Sequence, residues 1–160
     1  MAKVVMICGR LCCGKTSYAR KLVEKGGAAL LSIDEIMLMM FGQHCGDMHE
    51  TYAARTEKYL LDKAVELVSG GTDVVLDWGF WKAEQRRRVK EFFSAKGISC
   101  EMHYIDTCSE EIRRRITKRN AAVLAGEENA YYVDGNLDRK AAALFEQPED
   151  REIDLYYSEN

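Results

Sequence analysis

Proline is nearly absent: Pro148 stands alone in a chain of 160 residues. A proline-rich linker or polyproline arm is therefore excluded, and helices can run without that interruption. No stretch approaches the ~18 consecutive apolar residues of a membrane span. The early apolar run, Val4 to Cys8, is too short for the core of a secretory leader, so a cytoplasmic protein is expected. Neither sign of charge dominates, with 26 acidic and 23 basic side chains and a net charge of -3. That balance argues against broad nonspecific binding to nucleic acid, although a local basic patch is compatible with it. No CxxC pair occurs among Cys8, Cys12, Cys13, Cys45, Cys100 and Cys108, and reduced thiols are expected. His44, Cys45 and His49 lack the spacing of a structural zinc site.

What is present is a foldable composition, 47% hydrophobic, without repeats or low-complexity tracts. A chain of this mass buries roughly two-thirds of its unfolded surface, which suits one domain over residues 1–160. Apolar, β-prone runs are expected as strands at Val4–Cys8, Ala28–Ile33, Asp73–Leu76, Ile98–Ile105 and, at an edge, Ile153–Tyr156. Helical patterns fill Lys15–Glu24, Glu35–Met40, Asp47–Val68, Lys82–Ala95, Ser109–Leu124 and Leu137–Phe145. Ser109 is the expected cap of its helix, and Gly126 to Gly135 reads as turn. Strands alternating with helices predict an α/β protein whose parallel sheet is covered on both faces.

The strongest chemical signal is Gly9-Arg10-Leu11-Cys12-Cys13-Gly14-Lys15-Thr16, which fits G-x-x-x-x-G-K-[ST] between a strand and a helix. The glycines let the backbone turn its N–H groups toward a polyphosphate, and the helix adds the positive end of its dipole. Lys15 suits the β and γ phosphates of ATP, and the Thr16 hydroxyl suits Mg²⁺. Cys12 and Cys13 read as small fillers of the loop. The sharper alternative is a thiol acidified by the helix terminus, which would make the loop a redox sensor.

Ligands in open parallel sheets bind beyond the carboxyl ends of the strands. Asp34 follows the second strand and Asp77 ends the third, so both are expected at the phosphate crevice. Asp34 reads as a helix N-cap or as the carboxylate that accepts a hydroxyl proton, and the second role is adopted. Asp77 is assigned to Mg²⁺ or to the acceptor. Trp78, Phe80 and Trp81 are expected either to line an acceptor pocket, Trp78 foremost, or to plug the core. Arg115 and Arg119 share a helix face and are expected over a transferring phosphoryl group. Arg86, Arg87 and Arg88 are read as a solvent face.

The phosphate loop, SIDEI around Asp34, VVLDWGFW around Asp77 and RRRITKRN around Arg115 together resemble the small P-loop kinase-like ATP-binding proteins. Relatives of that group include the 5′-hydroxyl polynucleotide kinase domain, chloramphenicol phosphotransferase, zeta toxins and gluconate kinases. The likeness continues through LDRKAAALFEQPEDRE, as in a bacterial branch of the group. It implies a P-loop NTPase fold, three layers α/β/α with a five-stranded parallel sheet in the order 2-3-1-4-5. It further implies Asp34 as the acceptor-activating carboxylate, Arg115 and Arg119 as lid arginines, and Phe145 to Pro148 near the adenine. The expected activity is ATP- and Mg²⁺-dependent transfer to a hydroxyl, with a small molecule preferred as acceptor. A 5′-hydroxyl nucleic-acid kinase and a nucleotide-binding regulatory module are the alternatives.

Overall fold

In the computed structural model, which describes residues 1–158, every expected strand and helix is present. In chain order the elements are β1 (Val4–Cys8), α1 (Lys15–Gly26), β2 (Ala29–Leu31), α2 (Ile33–Phe41), α3 (His49–Ser69) and β3 (Val74–Gly79). There follow α4 (Ala83–Ser94), β4 (Cys100–Asp106), α5 (Ser109–Leu124), α6 (Gly135–Leu144) and β5 (Leu155–Ser158). The five strands form one parallel sheet in the order β2-β3-β1-β4-β5, as the resemblance implies.

Alternation along the strands builds two cores. Val4, Met6 and Cys8 of β1 point to one face, with Val74 and Leu76 of β3 and Met102 of β4, and α3 and α4 cover them through Leu61, Ala64, Val89 and Phe93. Val5 and Ile7 point to the other face, where Ala19 of α1, Ile112 of α5 and the segment holding Val133 pack. β1 is buried over its whole length, which explains why it reads as a continuous apolar run.

Several boundaries shift for local reasons. α2 starts at Ile33 because Ser32, not Asp34, is the N-cap: its side chain accepts from the Glu35 N–H at 3.3 Å. Asp34 is thereby freed from capping and lies in the first helical turn. α5 is entered at Cys108 with no side-chain cap, so Ser109 does not cap it; Ser109 Oγ accepts instead from Arg10 Nη1. A 3₁₀ turn over Gly46–Met48 precedes α3, which shortens the long helix expected from Asp47. β3 runs past Asp77 to Gly79, so that carboxylate belongs to the strand itself.

The largest correction concerns Arg86, expected on a solvent face and found 1% exposed. Its Nη1 donates to the carbonyls of Phe80 (3.1 Å), Trp81 (3.3 Å) and Glu146 (2.8 Å), and its Nε and Nη2 pair with the Glu152 carboxylate. The charge is tolerated because every face of the guanidinium meets an acceptor. Arg87 and Arg88 do lie exposed, paired with Glu91 and Glu57.

Candidate active site

At the carboxyl ends of β1 and β3 lies a cleft of about 590 Å³, floored by residues 11–17 and walled by Asp34, Asp77, Trp78, Trp81 and α5. The floor is a tight loop with two residues in the left-handed region, Gly14 at φ 103° and Cys12 at φ 59°. Gly14 carries that conformation without strain, whereas Cys12 was not recognisable as left-handed from its residue type. Gly9 is needed for a different reason, which is space. A Cβ there would stand 2.5 Å from Cys13 Sγ and 2.7 Å from the Ile105 carbonyl.

Side chains from four segments tie this loop down. Trp81 Nε1 donates to the Gly9 carbonyl at 3.1 Å. Thr107 Oγ1 and Arg115 Nη1 both donate to the Cys13 carbonyl, at 2.8 and 3.0 Å. Arg10 turns its guanidinium away from the cleft, onto the Thr107 carbonyl and Ser109, so it offers the cleft no charge. Lys15 Nζ arches over the loop and donates to the carbonyls of Gly9 and Arg10, at 3.0 and 2.6 Å. Thr107 is a contributor that motif reasoning missed, and Trp81, expected as pocket lining or core plug, also braces the loop. Neither has a local signature, because each acts through tertiary approach to a backbone atom.

Thr16 and Asp77 meet directly, the threonine hydroxyl donating to Asp77 Oδ2 at 2.7 Å. A hydroxyl and a carboxylate at this separation are the oxygen ligands a hard divalent cation takes when phosphate and water complete its shell. Among the described residues no cluster of three or more His, Cys, Asp or Glu forms a self-sufficient metal cage. The residues present therefore fit Mg²⁺ bound together with a nucleotide.

Asp34 faces this pair from the first turn of α2. The residue is exposed at the surface and its side chain opens into the cleft. Partial desolvation by the cleft walls raises its carboxyl pKa, and the Asp77 charge raises it further, against the pull of Lys15, Arg119 and His49. Arg115 and Arg119 both reach the cleft from α5, as expected, together with Arg114 and Lys118. Their surroundings differ. Arg115 is held by the Cys13 carbonyl and by Glu111 at 2.7 Å, whereas no hydrogen bond or ion pair to Arg119 occurs among the described residues.

The aromatic segment divides its labour. Phe80 is fully buried and stacks on Trp78, while Trp78 and Trp81 line the cleft. Gly79 and Phe80 both have positive φ, 81° and 49°, which turns the chain sharply after β3 and delivers Trp81 to Gly9. A left-handed phenylalanine costs about 1–3 kcal/mol. Burial of its ring contributes a similar amount, roughly 1.5–3 kcal/mol, and offsets the strain. Burial also raises the Cys12 thiol pKa, opposite in sign to the acidified thiol that a redox loop requires.

The sequence profile of a family described as "AAA domain" matches residues 4–145. Comparison with curated proteins yields no significant sequence match. Among solved structures, APS kinase of Mycobacterium tuberculosis in complex with AMPPNP and APS is similar at TM-score 0.65 and 23% identity, over 98% of this chain and 88% of that one. A gluconokinase from Sinorhizobium meliloti is similar at TM-score 0.62 and 15% identity, over 98% and 82%. The Pnkp1/Rnl/Hen1 RNA repair complex contains a similar region at TM-score 0.71 and 17% identity, over 89% of this chain and 43% of that one. The identities are too low for these likenesses to establish more than the fold. The profile match spans most of the chain, and with the phosphate loop and the strand order it gives one assignment: the chain belongs to this AAA-domain family of P-loop kinase-like proteins.

Proposed function

We propose that the protein is an ATP- and Mg²⁺-dependent phosphotransferase that moves the γ-phosphoryl group to a hydroxyl of a small-molecule acceptor. The observation that carries the reading is the Thr16–Asp77 contact at 2.7 Å beneath a phosphate loop, with Asp34 on the opposite wall. The loop N–H groups of residues 11–16 and Lys15 hold the polyphosphate. Lys15 exchanges its loop carbonyls for phosphate oxygens when nucleotide binds. Thr16 and Asp77 hold Mg²⁺, which supplies charge neutralisation at the β and γ phosphates. Asp34 orients the acceptor hydroxyl and accepts its proton; a carboxylate whose pKa is raised is better matched to that work near neutral pH. Arg119 is the arginine best placed to follow charge on the transferring group, because Arg115 is engaged in bracing the loop.

The test is transfer of γ-labelled phosphate from ATP into a cell metabolite extract, with Lys15→Ala and Asp34→Ala proteins alongside. A labelled small molecule that disappears with both variants is the expected result. Label only in free phosphate refutes the phosphotransferase reading, and a labelled small molecule unaffected by Asp34→Ala refutes the role given to Asp34. Label on added 5′-hydroxyl oligonucleotides, with steep salt dependence, would favour the nucleic-acid kinase instead.

A further inference from the structure

The peptide joining Cys13 to Gly14 is the part of the phosphate loop that its own sequence leaves free to turn. Gly14 sits at φ 103°. Glycine takes either sign of φ about equally, so local sterics do not decide which way the Cys13 carbonyl and the Gly14 N–H point. Contact from outside the loop decides it. Thr107, the first residue past β4, donates its hydroxyl to the Cys13 carbonyl at 2.8 Å, and Arg115 Nη1 donates to the same oxygen at 3.0 Å. A carbonyl oxygen has two lone pairs, and each has a donor here. The peptide is trans, so the Gly14 N–H is directed opposite to that oxygen. No hydrogen bond to the Gly14 N–H occurs among the described residues, and Gly14 lines the cleft.

The two donors are not equivalent. Arg115 lines the cleft, and its guanidinium also serves Glu111 at 2.7 Å. Thr107 is 2% exposed and lies outside the cleft lining, so its hold on the carbonyl does not depend on what occupies the cleft. Thr107 is itself fixed by the first half of the loop. Arg10 Nη2 donates to the Thr107 carbonyl, and Arg10 Nη1 to Ser109 Oγ at 3.3 Å. The end of β4 also abuts the loop at Gly9, where the Ile105 carbonyl leaves no room for a Cβ. One buried residue thus joins both flanks of the loop and sets the direction of a backbone donor that no described residue uses. A donor aimed in advance costs no reorganisation when an anion arrives.

We propose that Thr107 is a positioning residue for polyphosphate: it holds the Cys13–Gly14 peptide so that the Gly14 N–H stands ready in the cleft. The inference rests on the reading of residues 9–16 as a phosphate cradle, and its test is independent of turnover. Inorganic tripolyphosphate with Mg²⁺ is the probe, titrated by calorimetry while the Gly14 amide proton is followed by NMR. Thr107→Val keeps the side-chain shape without the donor, and Thr107→Ser keeps the hydroxyl. Arg115 remains on the carbonyl in Thr107→Val, so the loss is that of one net hydrogen bond and binding should weaken about three- to tenfold. The downfield move of the Gly14 amide proton on binding should shrink in the same variant. Thr107→Ser should restore both. Thr107→Ala also lacks the donor and carries the same expectation, should the valine protein not fold. Weaker binding with an unchanged Gly14 response would mean a general loosening of the fold and overturns the role. Affinity and amide response equal to those of the unaltered protein overturn it too, as does a serine variant that restores neither. Binding abolished by Lys15→Ala but intact in Thr107→Val refutes the part given to Thr107 alone. An unaltered protein that binds no tripolyphosphate refutes the phosphate cradle itself, and the proposal with it.

Discussion

On the proposed mechanism, Asp34 serves chemistry at the expense of stability. Its raised pKa means that the folded protein binds the Asp34 proton more tightly than the unfolded chain does. Stability therefore falls as pH rises from the unfolded carboxylate pKa through the folded one, and at neutral pH the charge is a net burden. Solvent reaches Asp34 and screens its charge, so Asp34→Asn should raise the thermal midpoint at about pH 7 only slightly, with the gain shrinking toward about pH 3, while transfer drops by roughly 100-fold or more. Calorimetry across that pH range checks the claim, and a lower midpoint at neutral pH would contradict it. Such a trade, function held in a destabilising residue, is the common pattern at active sites. Asp34 was legible as a site residue because it follows a strand. Its release from capping was not, because Ser32 and Asp34 are equally good caps on residue type alone.

Among the elements, α4 is misjudged most easily from sequence. Three consecutive arginines look alike there, yet Arg86 is buried while Arg87 and Arg88 are exposed. Helical phase decides: Arg86, Val89 and Phe93 are the buried residues of α4, at i, i+3 and i+7. Arg86 ties the turn after β3 to Glu146 and Glu152, and that turn presents Trp81 to the phosphate loop. Arg86→Ala removes the shared donor of three carbonyls and the buried partner of the Glu152 carboxylate. Trp81, Phe80 and Glu152 keep the Glu146 N–H, Cys8 Sγ and Glu149 N–H respectively, and the variant should be destabilised by about 3–5 kcal/mol. Arg87→Ala, at an exposed pair 3.5 Å apart, should stay within about 0.5 kcal/mol. Urea unfolding of the two variants separates these outcomes. Similar losses would mean that the Arg86 network does not carry the turn.

Across the whole molecule, the C-terminal edge of the sheet is one place where ionic support holds backbone. Arg86 and the Glu149 N–H hold the Glu152 carboxyl below the usual carboxylate range. At Asp154 burial pushes upward, but the Met102 N–H and Lys90 outweigh it, and its pKa is lowered too. Groups of this sign stabilise the fold above their unfolded pKa, and the contribution is lost as pH falls through the folded one. β1 itself is held by apolar packing, and on its neighbour β4 the Glu101 carboxyl is lowered in the same sense by Lys3. Acidification should therefore release residues 150–158 before β1 and β3. Hydrogen exchange, corrected for intrinsic rates, should show protection lost first at β5. Simultaneous loss across the sheet would refute a separately held edge.

Much of this protein is written in local pattern. The alternation of apolar runs and helical periods specifies a parallel α/β chain. The phosphate-loop motif marks the first strand–helix junction as an anion cradle, since backbone turns and helix ends are short-range properties of the sequence. Asp34, Asp77, Arg115 and Arg119 were recognisable because strand ends and helix faces can be counted along the chain. Tertiary structure alone decided the contacts between segments far apart in sequence: Thr16 on Asp77, Trp81 on Gly9, Arg86 on Glu152, and Tyr131 beside His49. Each depends on how far a side chain reaches once two elements have packed, and residue spacing carries no record of that distance.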